Sequence, residues 1–464
     1  MRSVELFAGA GGLALGVHAA GFDHEIIVER DPTTCTTLRT NQRLGLEPLA
    51  HWKLFDQDIR LLDYRSIAQG IDLVSGGPPC QPFSMGGKHR AYLDERDMFP
   101  EAVRAVRELQ PKAFLFENVK GLTRETFAKY FNYIQLQLTY PYLICKSDEA
   151  WLDHLVRLEQ HHTQGSEAGL SYRVLYRLVN AADYGVPQRR ERVFIVGFRS
   201  DIHQAWSFPQ PTHTQDALLW QKWVSCEYWD RHNIARLGLL ASDSKVQERS
   251  ARLRANERVL DSLPWVTIRD ATSDLPDPEH TSYQKCVRNH EFRSGARAYP
   301  GHTGSPLDEP AKALKAGDHG VPGGENLVVL PDGRLRYFTV RESARLQCFP
   351  DDYIFPVSWT ESMRQLGNAV PVRLGSIVAT SIARILAREC YDLQPPCRPD
   401  LKGRPVDRVI GASRLARCGE SQSRWLARGH ECVKVLHKFS SEAVAHGPEA
   451  GDHCARPGGE EGPG

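Results

Sequence analysis

The chain has no uninterrupted apolar run of 18 residues, which argues against a membrane span. It has almost no net charge: 58 basic against 57 acidic side chains leave +1. That excludes a globally basic, histone-like protein and gives no case for an acidic disordered one. A locally basic surface remains compatible with it. Lysine is scarce, supplying 14 of the basic residues against 44 arginines. Eleven cysteines are present, but the number is odd and no Cys-x-x-Cys pair occurs. A disulfide framework or a zinc ribbon is therefore not expected, and a reducing, cytoplasmic setting is. No internal repeat is visible. At 464 residues, with 41% hydrophobic and 25% charged residues, the chain has enough apolar material for a large core.

What is present begins at the N-terminus. Its apolar start superficially imitates a signal peptide, but Glu5 and the cluster Gly9, Gly11, Gly12 read as a strand and a glycine-rich turn. Strand patterns at 3–7, 25–29, 71–75, 113–116, 172–178 and 192–198 alternate with helical patterns at 12–20 and 98–109. That alternation predicts an α/β fold, a mostly parallel sheet covered by helices. Near Trp206 the pattern changes, and to about Tyr337 the sequence is rich in Pro, Gly, Trp and charge. This reads as a second, irregular domain or a large substrate-binding insertion. Helical character returns at 340–347 and 375–388. Residues 120–171 read as an extended connection and His161-His162 as a solvated loop pair. The tail 391–464 is expected to be disordered.

Four segments carry chemistry. Phe7-Ala-Gly-Ala-Gly-Gly12 follows a strand and opens a helix, where glycines let a ligand approach the backbone. Glu29 ends the next strand, where a carboxylate can hold ribose hydroxyls. These two features fit a dinucleotide enzyme and an adenosyl cofactor equally, and a bare tight turn remains a third reading. Gly76-Gly-Pro-Pro-Cys80-Gln-Pro-Phe-Ser84 is more specific. Prolines on both sides aim the Cys80 thiol at the carboxyl end of the sheet, making it a nucleophile candidate. Phe116-Glu117-Asn118-Val119 brings a carboxylate to the end of another strand, with a salt bridge as the plainer reading. In Gln188-Arg-Arg-Glu-Arg192, Arg190 and Arg192 would share a face if the following strand starts early.

With these segments in view, the chain resembles the cytosine-carbon-5 DNA methyltransferases over most of residues 3–390. Two further blocks in the family's order are Arg341-Glu-x-Ala-Arg-Leu-Gln-x-Phe-Pro350 and Gln365-Leu-Gly-Asn-Ala-Val-Pro371. The resemblance implies a Rossmann-like S-adenosylmethionine-dependent domain over 1–205, completed by 358–390, and a smaller target-recognition domain over 206–357. It implies Cys80 as nucleophile, Glu117 as the acid at the ring nitrogen, and Arg190 and Arg192 as holders of the flipped base. Phe7, Gly9, Gly11, Glu29, Asp58, Ile59, Pro79, Met98, Asn368, Ala369 and Val370 would line the cofactor pocket, S-adenosylhomocysteine being the product. No metal is implied. The partner would be double-stranded DNA, with a restriction endonuclease as functional counterpart, in a monomeric prokaryotic enzyme. Residues 81–99, glycine-containing and basic, would close on DNA. An RNA (transfer RNA) cytosine methyltransferase and, more distantly, a nicotinamide-binding oxidoreductase are the alternatives.

Overall fold

The computed structural model describes residues 1–67, 69–79, 97–165, 169–235, 244–254, 261–280, 287–297, 303–316 and 326–392. The tail after 392, most of the 81–99 loop and Cys80 itself lie outside the described residues.

A seven-stranded sheet forms the centre. Its strands are β1 (Arg2–Leu6), β2 (Asp23–Val28), β3 (Leu54–Phe55), β4 (Leu73–Gly76), β5 (Ala113–Val119), β6 (Tyr172–Asn180) and, after the short β7 (Gln188–Arg189), β8 (Glu191–Arg199). The order is β3-β2-β1-β4-β5-β8-β6. The first five are parallel, while β8 runs antiparallel to both β5 and β6. The chain leaves β1 towards β2 on one side and returns through β4 on the other. The carboxyl ends of β1 and β4 thus flank a topological switch point, where open α/β sheets hold ligands. Leu6 pairs with Gly76 there, so the glycine-rich turn and the loop leading to Cys80 leave the sheet side by side.

Parallel strands covered on both faces must be apolar throughout. In β5, Phe114 and Phe116 pack with α3 (Phe99–Leu109), α4 (Ala128–Thr139) and α5 (Trp151–Gln164). Ala113 and Leu115 face the other cluster, built from α1 (Gly12–Ala19) and α12 (Val372–Asp392). Glu5 is the exception in β1. It is buried, its carboxyl accepts a hydrogen bond from Ser75 Oγ, and burial pushes its pKa up to about 8.

α1 and α12 touch backbone to backbone. A Cβ added at Gly16 would lie 2.7 Å from both Ser376 N and Val372 O. Gly16→Ala should therefore destabilise the fold by about 1–3 kcal/mol, read as a lower urea midpoint at unchanged slope. A midpoint equal to wild type would show that the helices separate without cost. The stretch Trp359–Arg388 is long and apolar enough for a membrane span, yet it is mostly buried inside the protein.

Two expectations are corrected. Residues 120–171 are not an extended connection: α4 and α5 fill much of them, because Tyr130, Ile134, Leu138, Leu155 and Leu158 present apolar stripes at helical spacing. His161 and His162 lie in the last turn of α5, bonded to Tyr142 and Tyr140 hydroxyls at 2.8 Å each.

Beyond Trp206 the build is irregular, as the composition suggests. It comprises α6 (Gln215–Trp223), α7 (Glu227–Arg231), α8 (Ser244–Leu253), α9 (Ile268–Thr272) and strands of two or three residues: β9 (His213–Thr214), β10 (Leu263–Pro264), β11 (Ser305–Pro306), β12 (Ala311–Lys312), β13 (Leu327–Val329) and β14 (Leu335–Tyr337). β12 pairs with β7, stitching this part to the entrance of β8. α10 (Val340–Leu346) starts on a capping box between Thr339 and Glu342, and α11 (Trp359–Asn368) leads into α12. Phe349, Tyr353 and Phe355 share a core cluster with Ala8, Ala10 and Ala14, so residues 349–355 pack under the glycine-rich turn.

Candidate active site

The turn after β1 is shaped by backbone that L-residues rarely adopt: φ is 54° at Phe7, 54° at Gly9 and 81° at Gly11. At Gly9 the missing Cβ leaves open space, with no atom within 4 Å. From the opposite side, Tyr353 donates to Ala10 O at 2.6 Å and steadies the turn. Glu29 bridges two turns with one carboxylate. Oε2 accepts from Gly9 N (2.8 Å), and Oε1 accepts from Arg30 N (2.9 Å) and Asp31 N (2.8 Å). Asp58 lies nearby, bonded to Arg60 and to Arg30 Nη1 at 3.0 Å. The Arg60 hydrogen bonds, ahead of Arg30, hold its carboxyl well below the usual range. Ile59 beside it is buried, and its carbonyl accepts from Arg104.

This crevice suits an adenosyl cofactor. It has open space over Gly9 and a fixed carboxylate at a strand end. Glu29→Gln keeps the shape but removes the charge and one acceptor edge. Binding of S-adenosylmethionine should weaken about 10-fold or more, measured by calorimetry on folded protein. Unchanged affinity would exclude Glu29 from the pocket.

Gly77, Pro78 and Pro79 carry the chain from β4 towards Cys80. Asn118 Nδ2 donates to Pro78 O (2.9 Å), and Met98 N donates to Pro79 O (3.0 Å). The second bond joins Pro79 to buried Met98, on either side of the stretch that contains Cys80. A Cβ on Gly77 would sit 3.4 Å from Glu117 Oε2, so this strand exit runs directly past the carboxylate.

Glu117 is buried near the end of β5, with Arg192 Nε 2.9 Å from its Oε1. The two are diagonal neighbours on β5 and β8, since Glu117 pairs with Phe194 and Val119 with Arg192. Their contact is an ion pair without hydrogen-bond alignment, as Oε1 lacks a hydrogen-bond partner among the described residues. Burial pushes the Glu117 pKa up, against the pull of Arg192 and then Arg190.

The two arginines do not act alike. The strand breaks at Arg190, between β7 and β8. Arg190 is fully buried and donates to Leu314 O (3.1 Å) and Gly367 O (2.7 Å). Only Arg192 touches Glu117. The other arginine-containing block serves the architecture. Arg341 donates to the carbonyls of Arg288, Pro350 and Tyr353, and Arg336 forms a two-pronged bond to Glu342.

Ala369 and Val370 are buried at the α11–α12 junction, while Asn368 is exposed. A Cβ at Gly12 would lie 2.3 Å from Val370 O, which places this junction against the first turn of α1. Sequence reasoning missed Asp31 and Arg364. Arg364 Nη2 donates to Asp31 Oδ1 at 3.0 Å and so ties α11 to the turn that fixes Glu29. Neither lies in a sequence motif, and pairing across 333 residues leaves no local signal. Among the described residues, Cys145, Glu149 and His154 bring potential metal ligands within 4.8 Å. Both His154 ring nitrogens are already bonded, to Tyr133 OH and Leu143 O, and Glu149 is paired with Arg157.

Known proteins resemble the chain over most of its length. The chain is 31% identical over 396 residues to the type II methyltransferase M.NgoMIV of Neisseria gonorrhoeae, covering 83% of this chain and 98% of that protein. It is 32% identical over 389 residues to the type II methyltransferase M.PspPI of a Psychrobacter species, covering 82% and 79%. A solved structure described as a prophage-encoded DNA modification methyltransferase of E. coli shares the fold, with a TM-score of 0.50 at 21% identity over 83% of this chain and 99% of that one. The profile of the C-5 cytosine-specific DNA methylases matches residues 1–140 and 153–384, most of the chain including every block above. The chain therefore belongs to the C-5 cytosine-specific DNA methylases.

Proposed function

We propose that this DNA cytosine-5 methyltransferase works through a covalent adduct on Cys80, takes its methyl group from S-adenosylmethionine, and protects a specific duplex sequence from a cognate restriction endonuclease. The buried Glu117–Arg192 pair beside the strand exit to Cys80 is the observation that carries the reading. Cytosine carbon 5 is too weak a nucleophile to accept a methyl group unaided. Addition of the Cys80 thiolate to carbon 6 turns the ring into an enamine with its electron density at carbon 5. Glu117 in its protonated form donates to ring nitrogen 3 and makes that addition easier. Arg192 fixes the Glu117 side chain and offers its remaining donors to the base. The cofactor, when bound, supplies an electrophilic methyl group.

Its adenosyl part would rest on Phe7, Gly9, Gly11, Asp58, Ile59, Pro79 and Met98, with Glu29 on the ribose and Asn368 to Val370 closing the far side. Carbon 6 is out of reach inside a duplex, so the base must leave the stack. Residues 206–357 are the part proposed to read sequence, and 1–205 with 358–390 the part proposed to do the chemistry. The type II relatives support the pairing with an endonuclease.

The test is base-resolution bisulfite mapping of duplex DNA treated with the purified protein, alongside transfer RNA. Methylcytosine confined to one short duplex sequence is the expected result. Methylation of transfer RNA alone would overturn the reading.

A further inference from the structure

The segment Leu314–Ala316, which follows β12, is gripped on every side by buried polar groups. Leu314 N donates to Gln188 Oε1 (3.0 Å), while Leu314 O accepts from Arg190 Nη1 (3.1 Å). Lys315 is held the same way by one side chain. Its N donates to Asn326 Oδ1, and its O accepts from Asn326 Nδ2, both at 3.2 Å. Against Ala316 stands Gly367, where an added Cβ would lie 2.4 Å from Ala316 N. Arg190 Nη2 closes the circuit by donating to Gly367 O at 2.7 Å. Gln188, Arg190 and Asn326 are all fully buried.

We propose that Arg190 is a positioning residue that couples target recognition to chemistry, by locking Leu314–Ala316 between the start of β8 and the end of α11. The proposal rests on the reading of 206–357 as the recognition part. Arg190 lies two residues before Arg192, the partner of Glu117, and Gly367 lies one residue before Asn368. A planar guanidinium reaches two carbonyls on separate segments at once, which an ammonium on a flexible stem does not reproduce. The clamp therefore fixes the distance between groups that would read bases and groups that would act on the cytosine. Binding energy gained at the bases reaches the reaction only while that distance is fixed. Without the clamp, correct and incorrect sequences should position the cytosine almost equally poorly.

The test uses the full chain and two duplexes, one carrying the bisulfite-mapped site and one differing from it at a single recognition base pair. The readout is the ratio of kcat/KM between them. A single base pair ordinarily carries about 10–100-fold discrimination. Arg190→Gln should lower kcat/KM on the mapped site and shrink the ratio by about 10-fold, with S-adenosylmethionine affinity unchanged. Arg190→Lys should restore part of the ratio. Asn326→Ala, which leaves Arg190 and Glu117 untouched, should shrink the ratio in the same direction, and it carries the test if Arg190→Gln does not fold. Equal losses on both duplexes in these variants would mean a merely structural role and overturn the proposal. Grafting 206–337 from a relative with another target checks the underlying reading. An active chimera that keeps its original target overturns that reading, whereas a transferred target with intact discrimination in the clamp variants overturns the clamp alone.

Discussion

Cys80→Ala is expected to abolish methyl transfer to DNA, a loss on the order of 10^4-fold or more in kcat, because no other group supplies the nucleophile. The affinity for S-adenosylmethionine should stay within a few-fold of wild type. The crevice proposed for the cofactor lies at Glu29, Gly9 and the α11–α12 junction, and the Pro79–Met98 hydrogen bond uses backbone atoms only. Radiolabelled methyl incorporation into duplex DNA, with cofactor binding measured in parallel, separates the two effects. Substantial turnover by the alanine variant would remove the covalent step from the account.

Glu117→Gln should cost about 10^2- to 10^4-fold in kcat, the range for losing a positioned acid. The pH dependence gives a sharper check. Burial raises the Glu117 pKa, and Arg192 opposes it. In the proposed mechanism the protonated form is the working acid, so wild-type kcat should fall as pH rises through the raised value. The glutamine variant should lack that limb. Stability follows the same sign. The contribution of a carboxyl whose pKa is raised on folding is complete below its unfolded pKa and is lost as pH rises through the folded one. Glu117→Gln should therefore also flatten the fall in stability across that window, visible in urea titrations at several pH values. A glutamine variant with the wild-type pH profile would place the titrating group elsewhere.

Much of the catalytic half is legible in the sequence. Phe7 to Gly12, Glu29 and Glu117 each follow a short apolar run that becomes a strand, and the structure brings the first two into direct hydrogen-bond contact. The reason is topological: parallel strands joined by crossovers present their carboxyl ends along one edge of the sheet. What stayed hidden depends on long-range contacts. Nothing local announces the strand break at Arg190, or that β7 just before it pairs with β12 more than 120 residues away. Nor does the pattern around Asp31 reveal Arg364. The α4–α5 region was obscured by its own polarity. Tyr130, Tyr133 and His154 are buried there against one another's rings, with a Tyr133–His154 hydrogen bond, and not by a purely apolar stripe.

The central claim, that Cys80 bonds to the target cytosine, is most directly tested with 5-fluorocytosine at the mapped site of a duplex. In the presence of S-adenosylmethionine, addition and methylation should proceed, but fluorine occupies the position from which a proton must leave. The protein should then remain covalently joined to the DNA, with peptide mapping placing the adduct on Cys80 and on none of the other ten cysteines. Cys80→Ala should form no adduct. An adduct on another cysteine, or none from an active wild-type enzyme, would contradict the mechanism.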